Sequence, residues 1–261
     1  MLIKRKSIEK DASQRQSRKK PHPPVTLSEE DGIRYLHFGT RWIQGAMRIK
    51  RPDRIELEYV QQMMAWMLFI PKPQHVVQLG LGTAALTKFC YRHFTEAQVT
   101  AVELNPAVIA ICETQFKLPP NDARLHVLEQ DALDFVNDDT HHGQFDVLQA
   151  DLYDEHAQGP VLDTPAFYRA CAACLKPDGI MMTNLFGEHP SYHKNLHAME
   201  EAFERVLCLP PVPAGNVVAM AFKRLPTLDF GVLYERAFEI SKVTDLPARQ
   251  WVNGLKLTHS G

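Results

Sequence analysis

The sequence predicts an α/β fold, an open and mainly parallel sheet carrying a small N-terminal β cap. Three observations predict it. An apolar strand runs into a glycine turn, Val76-Val77-Gln78-Leu79-Gly80-Leu81-Gly82-Thr83. A second strand, Val99-Thr100-Ala101-Val102-Glu103, ends on an acid, and an Asp131-Ala132 pair follows. Past Pro73, short apolar runs alternate with stretches of helical periodicity, the pattern of a parallel sheet with crossover helices. Glycine brings its backbone against a ligand with no Cβ in the way, and the next helix N-terminus favours an electron-rich group. A carboxylate about 20 residues on can accept both hydroxyl protons of a ribose. The combination predicts a nucleoside-binding domain.

The elements follow in order. Residues 1–30 are rich in Lys, Arg, Ser, Gln and Pro and too poor in apolar residues to offset the entropy of ordering, so a disordered basic arm is expected. Residues 31–72 form the cap and a connecting helix. There Ile33 to Gly39 and Trp42 to Ile49 alternate β-formers with polar residues, and Ile55 to Phe69 has helical spacing up to Pro71. In residues 73–261 the predicted strands are Val76–Leu79, Val99–Val102, Leu125–Leu128, Phe145–Ala150 and Ile180–Leu185. Helices Ala84–His93, Pro106–Phe116, Ala132–Val136, Pro165–Leu175 and Ser191–Arg205 intervene or follow. Two further strands, Val206–Leu209 and Val217–Phe222, flank a proline-rich hairpin. Five mainly parallel strands closed by a hairpin give a Rossmann-like, seven-stranded, methyltransferase-type sheet rather than a dehydrogenase sheet.

Composition narrows the function classes. The 261 residues are 45% hydrophobic with a net charge of −2, which argues against a molecule built as a whole for nucleic acid or a membrane surface. No apolar run approaches the about 20 residues that cross a bilayer, and no signal-peptide core stands at the N-terminus, so a cytoplasmic location is expected. Five cysteines without a spaced framework read as reduced thiols. Cys171-x-x-Cys174 has no second ligand pair, and His189, His193 and His197, four apart on a predicted helix, have no carboxylate to complete a set. No metal is expected.

Read in order, the β cap, Gln44, Tyr59-Val60-Gln61-Gln62, the glycine turn, Val102-Glu103-Leu104-Asn105-Pro106, Asp131-Ala132 and Asp151-Leu152-Tyr153-Asp154 with Gly159-Pro160 resemble the spermidine synthases, the polyamine aminopropyltransferases. The resemblance covers residues 32–223, and its most specific element is the pair of aspartates three apart with Gly-Pro downstream. It implies a homodimer that moves an aminopropyl group from decarboxylated S-adenosylmethionine to a polyamine and releases methylthioadenosine. It also implies roles. Asp151 would be the base that deprotonates the attacking amine, since a free alkylamine is protonated at neutral pH. Asp154 would hold the amine, with Tyr59, Gln61 and Tyr153 beside it. Glu103 would take the ribose hydroxyls, Asp131 and Ala132 the adenine, and Gly80 and Gly82 would let the backbone approach the nucleoside. Gln44 and Thr83 would line the donor pocket.

The departures are equally specific. Typical members carry an aspartate at the position of Thr83 and glycines at Ala84 and Ala85. They carry a tyrosine and a histidine at Val60 and Trp66, with Tyr59 one place out of register. An aspartate at position 83 would select the ammonium of the decarboxylated donor over the carboxylate of intact S-adenosylmethionine. Its replacement leaves two other readings open: an S-adenosylmethionine-dependent methyltransferase of small molecules, or a non-catalytic nucleoside-binding homologue with a partner surface at Trp66. The acceptor amine also stays open.

Overall fold

A computed structural model describes residues 22–154 and 160–259. Most of the expected basic arm, and Gly159 of the Gly-Pro pair, lie outside the described residues. In chain order the elements are β1 (Val25–Glu30), β2 (Ile33–Phe38), β3 (Gly45–Arg48), α1 (Glu58–Gln62), a 3-10 turn (Ala65–Leu68), β4 (His75–Leu79), α2 (Ala85–His93), β5 (Gln98–Glu103), α3 (Pro106–Gln115), β6 (Leu125–Glu129) and α4 (Ala132–Val136). After a 3-10 turn at Asp139–His141 come β7 (Phe145–Ala150), α5 (Pro165–Cys174), β8 (Leu175–Phe186), α6 (Tyr192–Glu200), β9 (Arg205–Cys208), β10 (Asn216–Phe222), α7 (Phe230–Val243) and α8 (Ala248–His259).

Among the described residues these strands form two sheets. The cap is the antiparallel meander β1-β2-β3. It begins earlier than composition indicated, because Val25 and Leu27 alternate with polar residues and pair with Phe38 and Leu36 of β2. The large sheet has the order β6-β5-β4-β7-β8-β10-β9. Its first five strands are parallel, and β10 runs antiparallel to both neighbours. Val76, Val77 and Leu79 of β4 are all fully buried, as a central parallel strand covered on both faces requires.

The connecting segment departs from the expected single helix. Instead of one helix over 55–69, α1 ends at Gln62 and a 3-10 turn follows. The Met63 carbonyl is taken by the Gln149 Nε2 amide at 2.9 Å, while Met67 N–H bonds the Met64 carbonyl at 3.0 Å. A buried side chain has therefore claimed an acceptor that the α-helical ladder would have used. Gln149 lies opposite Gln78 in the β4–β7 register, and Gln78 Nε2 donates to Gln149 Oε1 at 3.2 Å. Thr87 of α2 donates to the remaining Gln78 oxygen. This buried set ties the connecting segment to the middle of the sheet.

α7 and α8 have no counterpart in the sequence reading, which stopped at Phe222. Leu233, Ala237 and Ile240 recur at helical spacing and are buried, and Asp229 caps α7 by accepting the Gly231 and Val232 N–H groups. Arg236 donates to the carbonyls of Leu68 and Phe69 at 2.7 and 3.2 Å, so α7 also terminates the 3-10 turn. α6 begins at Tyr192, which leaves His189 in the preceding turn with its Nδ1 against Ser191 Oγ. The three histidines therefore do not share a helix. Among the described residues no three His, Cys, Asp or Glu side chains form a metal-binding group, and no helix is long and apolar enough to cross a membrane.

A buried cation anchors the cap. Lys88 of α2 donates through Nζ to the carbonyls of Pro52 at 2.9 Å and Phe116 at 2.7 Å, joining the exit of the cap to the end of α3. Burial pushes its ammonium down from 10.5 to about 8. Between those values the unfolded chain binds more protons than the folded one, so stability rises with pH there. Wild type should gain unfolding free energy relative to Lys88→Met between about pH 8 and 10.5. Parallel stability curves for the two proteins would show that the ammonium is not desolvated.

Candidate active site

A cleft of about 1000 Å³ opens at the C-terminal ends of β4, β5 and β7, under the cap. This is where open parallel sheets place ligands, because strand order reverses there and the loops diverge. The floor is the glycine turn. Gly80 has φ +91° and Gly82 φ +53°, both in the region that favours glycine. A Cβ on Gly80 would lie 2.3 Å from the Asp151 carbonyl oxygen. The close approach that requires glycine is thus between two strand ends, not only between backbone and ligand. At Gly82 the added atom would meet nothing closer than 3.5 Å, so the positive φ is the reason for glycine there. Ala84 holds the same left-handed conformation at φ +56° without that freedom and is completely buried.

Glu103 closes β5. Its Oε2 accepts the Leu81 N–H at 3.0 Å and its Oε1 the Asn105 N–H at 2.8 Å. Burial raises the carboxyl above its ordinary value, and these backbone donors oppose the rise. A carboxylate has about four acceptor positions, so the two oxygens retain capacity for the hydroxyls of a ribose. Asp131 caps α4 by accepting the Leu133 N–H at 2.7 Å, and with Ala132 it lines the cleft. Helix capping and an adenine contact are compatible at that position.

Asp151 stands just past β7. Its Oδ1 accepts from Asn184 Nδ2 at 2.9 Å and its Oδ2 from the Tyr59 hydroxyl at 3.4 Å. Burial pushes the carboxyl above the usual carboxylate range, while both hydrogen bonds pull it back. Burial, and then the Asp151 charge, push the Tyr59 and Tyr153 hydroxyls up, so both remain donors. The Tyr153 hydroxyl donates to the Asn184 carbonyl at 3.2 Å. Tyr59, out of register in sequence, nevertheless reaches Asp151 from α1. Asp154 lines the same cleft, and its carbonyl accepts from Gln44 Nε2 at 3.0 Å, which clasps the cap to the loop after β7. Asn184 and Asn216 escaped the sequence reading, since neither sits in a motif.

Three sequence expectations are corrected. Gln61 does not line the cleft; its Nε2 donates to the Ile55 carbonyl at 2.9 Å and holds the turn before α1. Thr83 does not line the large cleft either. It is 3% exposed beneath Gly45 and donates to the Ala46 carbonyl at 3.4 Å, facing a neighbouring cavity of about 20 Å³. Thr83 therefore lies outside the cleft in which a donor's charged end would sit. Trp66, offered as a partner surface, is 0% exposed and packs on Phe94 with ring centroids 5.1 Å apart.

The charge of the lining is one-sided. Glu56, Glu58, Glu103, Asp131, Asp151, Asp154 and Glu188 line the cleft, and Arg41 is the only Lys or Arg lining it among the described residues. Arg48 neutralises Glu56 through two bonds of 3.0 and 2.9 Å. The remaining acids make a field that attracts a polycation.

Fold and site together define a nucleoside-binding α/β domain with a buried carboxylate beside an acidic groove. Residues 57–225 match the spermine/spermidine synthase domain, and the chain belongs to that family. Polyamine aminopropyltransferase from Chromobacterium violaceum is 33% identical over 239 residues, 91% of each chain. That of Neisseria meningitidis serogroup A is 33% identical over 240 residues, 91% of this chain and 90% of the relative. Among solved structures, a probable spermidine synthase from Corynebacterium glutamicum superposes with TM-score 0.69 at 18% identity, over 88% of this chain and 91% of that one. Human methyltransferase-like protein 13 in complex with SAH gives 0.62 at 20% identity, over 72% and 92%. At these identities the two structures share the fold.

Gly80→Ala combines a strained φ with a backbone clash, and should lower the unfolding free energy by about 2 to 5 kcal/mol. Chemical denaturation with an unchanged midpoint would show that the strand ends separate freely.

Proposed function

We propose that the chain transfers an aminopropyl group from decarboxylated S-adenosylmethionine to a polyamine and releases methylthioadenosine. The observation that carries this reading is Asp151, a carboxylate raised by burial and held by Asn184 and Tyr59 in a cleft lined by further acids. The amine nitrogen attacks the propyl carbon next to the sulfonium, the C–S bond breaks, and the positive charge passes from sulfur to nitrogen. Asp151 takes the proton that the nitrogen must lose before it can attack. Asp154 and the other rim acids hold a distal ammonium of the polyamine. Tyr59 and Tyr153 shape the acceptor side through their contacts with Asp151 and Asn184.

On the donor side Glu103 binds the ribose, Asp131 and the first turn of α4 at Ala132 meet the adenine, and Gly80, Gly82 and Gln44 form the walls. The homodimer implied by the family resemblance and the cytoplasmic setting expected from the sequence belong to the same proposal.

Glu103→Ala tests the donor side. It should weaken methylthioadenosine binding by about 1 to 3 kcal/mol in calorimetry. Because Leu81 and Asn105 lose their acceptor, it should also lower the stability of the free protein, by about 1 to 3 kcal/mol. Unchanged affinity would remove Glu103 from the site.

Asp151→Asn tests the chemistry. Diamines and triamines are screened for methylthioadenosine release, and the variant is then measured with the best acceptor. The rate constant should fall by about 10² to 10⁴-fold with methylthioadenosine bound normally. In wild type the rate should fall on acidification as Asp151 is protonated, at a pH above the usual carboxylate range. Full transfer by the variant would end the base assignment. Methylation of a small molecule by intact S-adenosylmethionine, with no amine accepted, would overturn the activity itself.

A further inference from the structure

Asn184 lies on β8, 1% exposed, one strand away from the end of β7. Its Nδ2 donates to Asp151 Oδ1 at 2.9 Å, and its Oδ1 accepts from Asn216 Nδ2 at 3.0 Å. A carboxylate only accepts, so the amide must present its NH₂ end to Asp151 and its oxygen to the other side. Asn216 supplies the donor that this oxygen needs. The register brings the pair together: Asn216 stands opposite Phe186 and Val218 opposite Asn184, which makes 184 and 216 diagonal neighbours on one face of antiparallel β8 and β10.

We infer that Asn184 is a positioning residue for Asp151, and that Asn216 fixes which end of the Asn184 amide faces the carboxylate. The inference rests on the proposed role of Asp151 as base. With Oδ1 held by Asn184, the oxygen left to receive the proton is Oδ2, whose described partner is the longer contact from Tyr59 at 3.4 Å. The hydrogen bond to Oδ1 also favours the charged form and opposes the rise that burial causes. The titratable groups facing Asp151 are the hydroxyls of Tyr59 and Tyr153, both held protonated.

The test follows the Asp151 carboxyl by carbon-13 NMR in the full chain, with its signal assigned from Asp151→Asn. Asn184→Leu should raise the titration midpoint by about one to two pH units, the worth of a hydrogen bond to a charged group. Asn216→Ala leaves the Asn184 amide free to turn and should raise it by less, in the same direction. The acid limb of amine-dependent methylthioadenosine release should move with the midpoint, while methylthioadenosine affinity stays unchanged. A purely structural part for the pair would lower stability and leave the midpoint where it was, and that result overturns the inference. Should Asn184→Leu fail to fold, Asn216→Ala decides by the same midpoint, its side chain being only half-buried. A shifted midpoint in a protein that accepts no amine would sustain the positioning role and defeat the proposed activity instead.

Discussion

Gly80 and Asp151 meet where two neighbouring parallel strands end, and a side chain at position 80 would put its first carbon 2.3 Å from the Asp151 carbonyl oxygen. The absence of that carbon lets β4 and β7 keep their spacing up to their last residues. Asp151 N–H then bonds the Leu79 carbonyl at 2.9 Å, and Gly80 N–H bonds the Val102 carbonyl at the same distance. Three strand ends are thereby locked together, and Glu103 and Asp151 emerge on either side of one turn. The two carboxylates are held apart by this contact.

A second constraint sets the roof. The cap strands span only Val25 to Arg48, a size at which a sheet needs support from the rest of the molecule. Polar groups inside the molecule hold the cap and its connection in place: Lys88 on the carbonyls of Pro52 and Phe116, and Gln149 on that of Met63. Such groups are costly to bury and direction-dependent, so satisfying them specifies one arrangement where apolar packing alone would tolerate several. The same arrangement brings Gln44 onto the Asp154 carbonyl and Tyr59 onto Asp151. The cap and the loop that carries Asp151 and Asp154 are therefore coupled through Gln44 and the connecting α1.

Electrostatics complete the site. Acids crowd a partly enclosed cleft, which raises local affinity for cations. An amine bound by charge alone would remain protonated and unreactive. Burial raises the proton affinity of Asp151, as it does that of Glu103.

What the sequence determined by itself was everything carried by short-range pattern. Alternating apolar runs located the strands of the large sheet within a residue or two for most of them, and glycines at 80 and 82 marked a turn that needs positive φ. Acids at the ends of apolar runs, Glu103 and Asp151, could be read as site residues because parallel strands expose their C-terminal ends in a fixed way. The tertiary structure alone decided what depends on neighbours distant in the chain. Gln61 turns to Ile55 instead of the cleft, and Thr83 is covered by Gly45. Tyr59 reaches Asp151 although it stands one place out of register in the sequence, and Asn184 meets Asp151 through the pairing of β8 with β10 and β7. Periodicity fixes the face on which a side chain lies, but its partner is set by strand order and register, which arise only when the whole sheet closes.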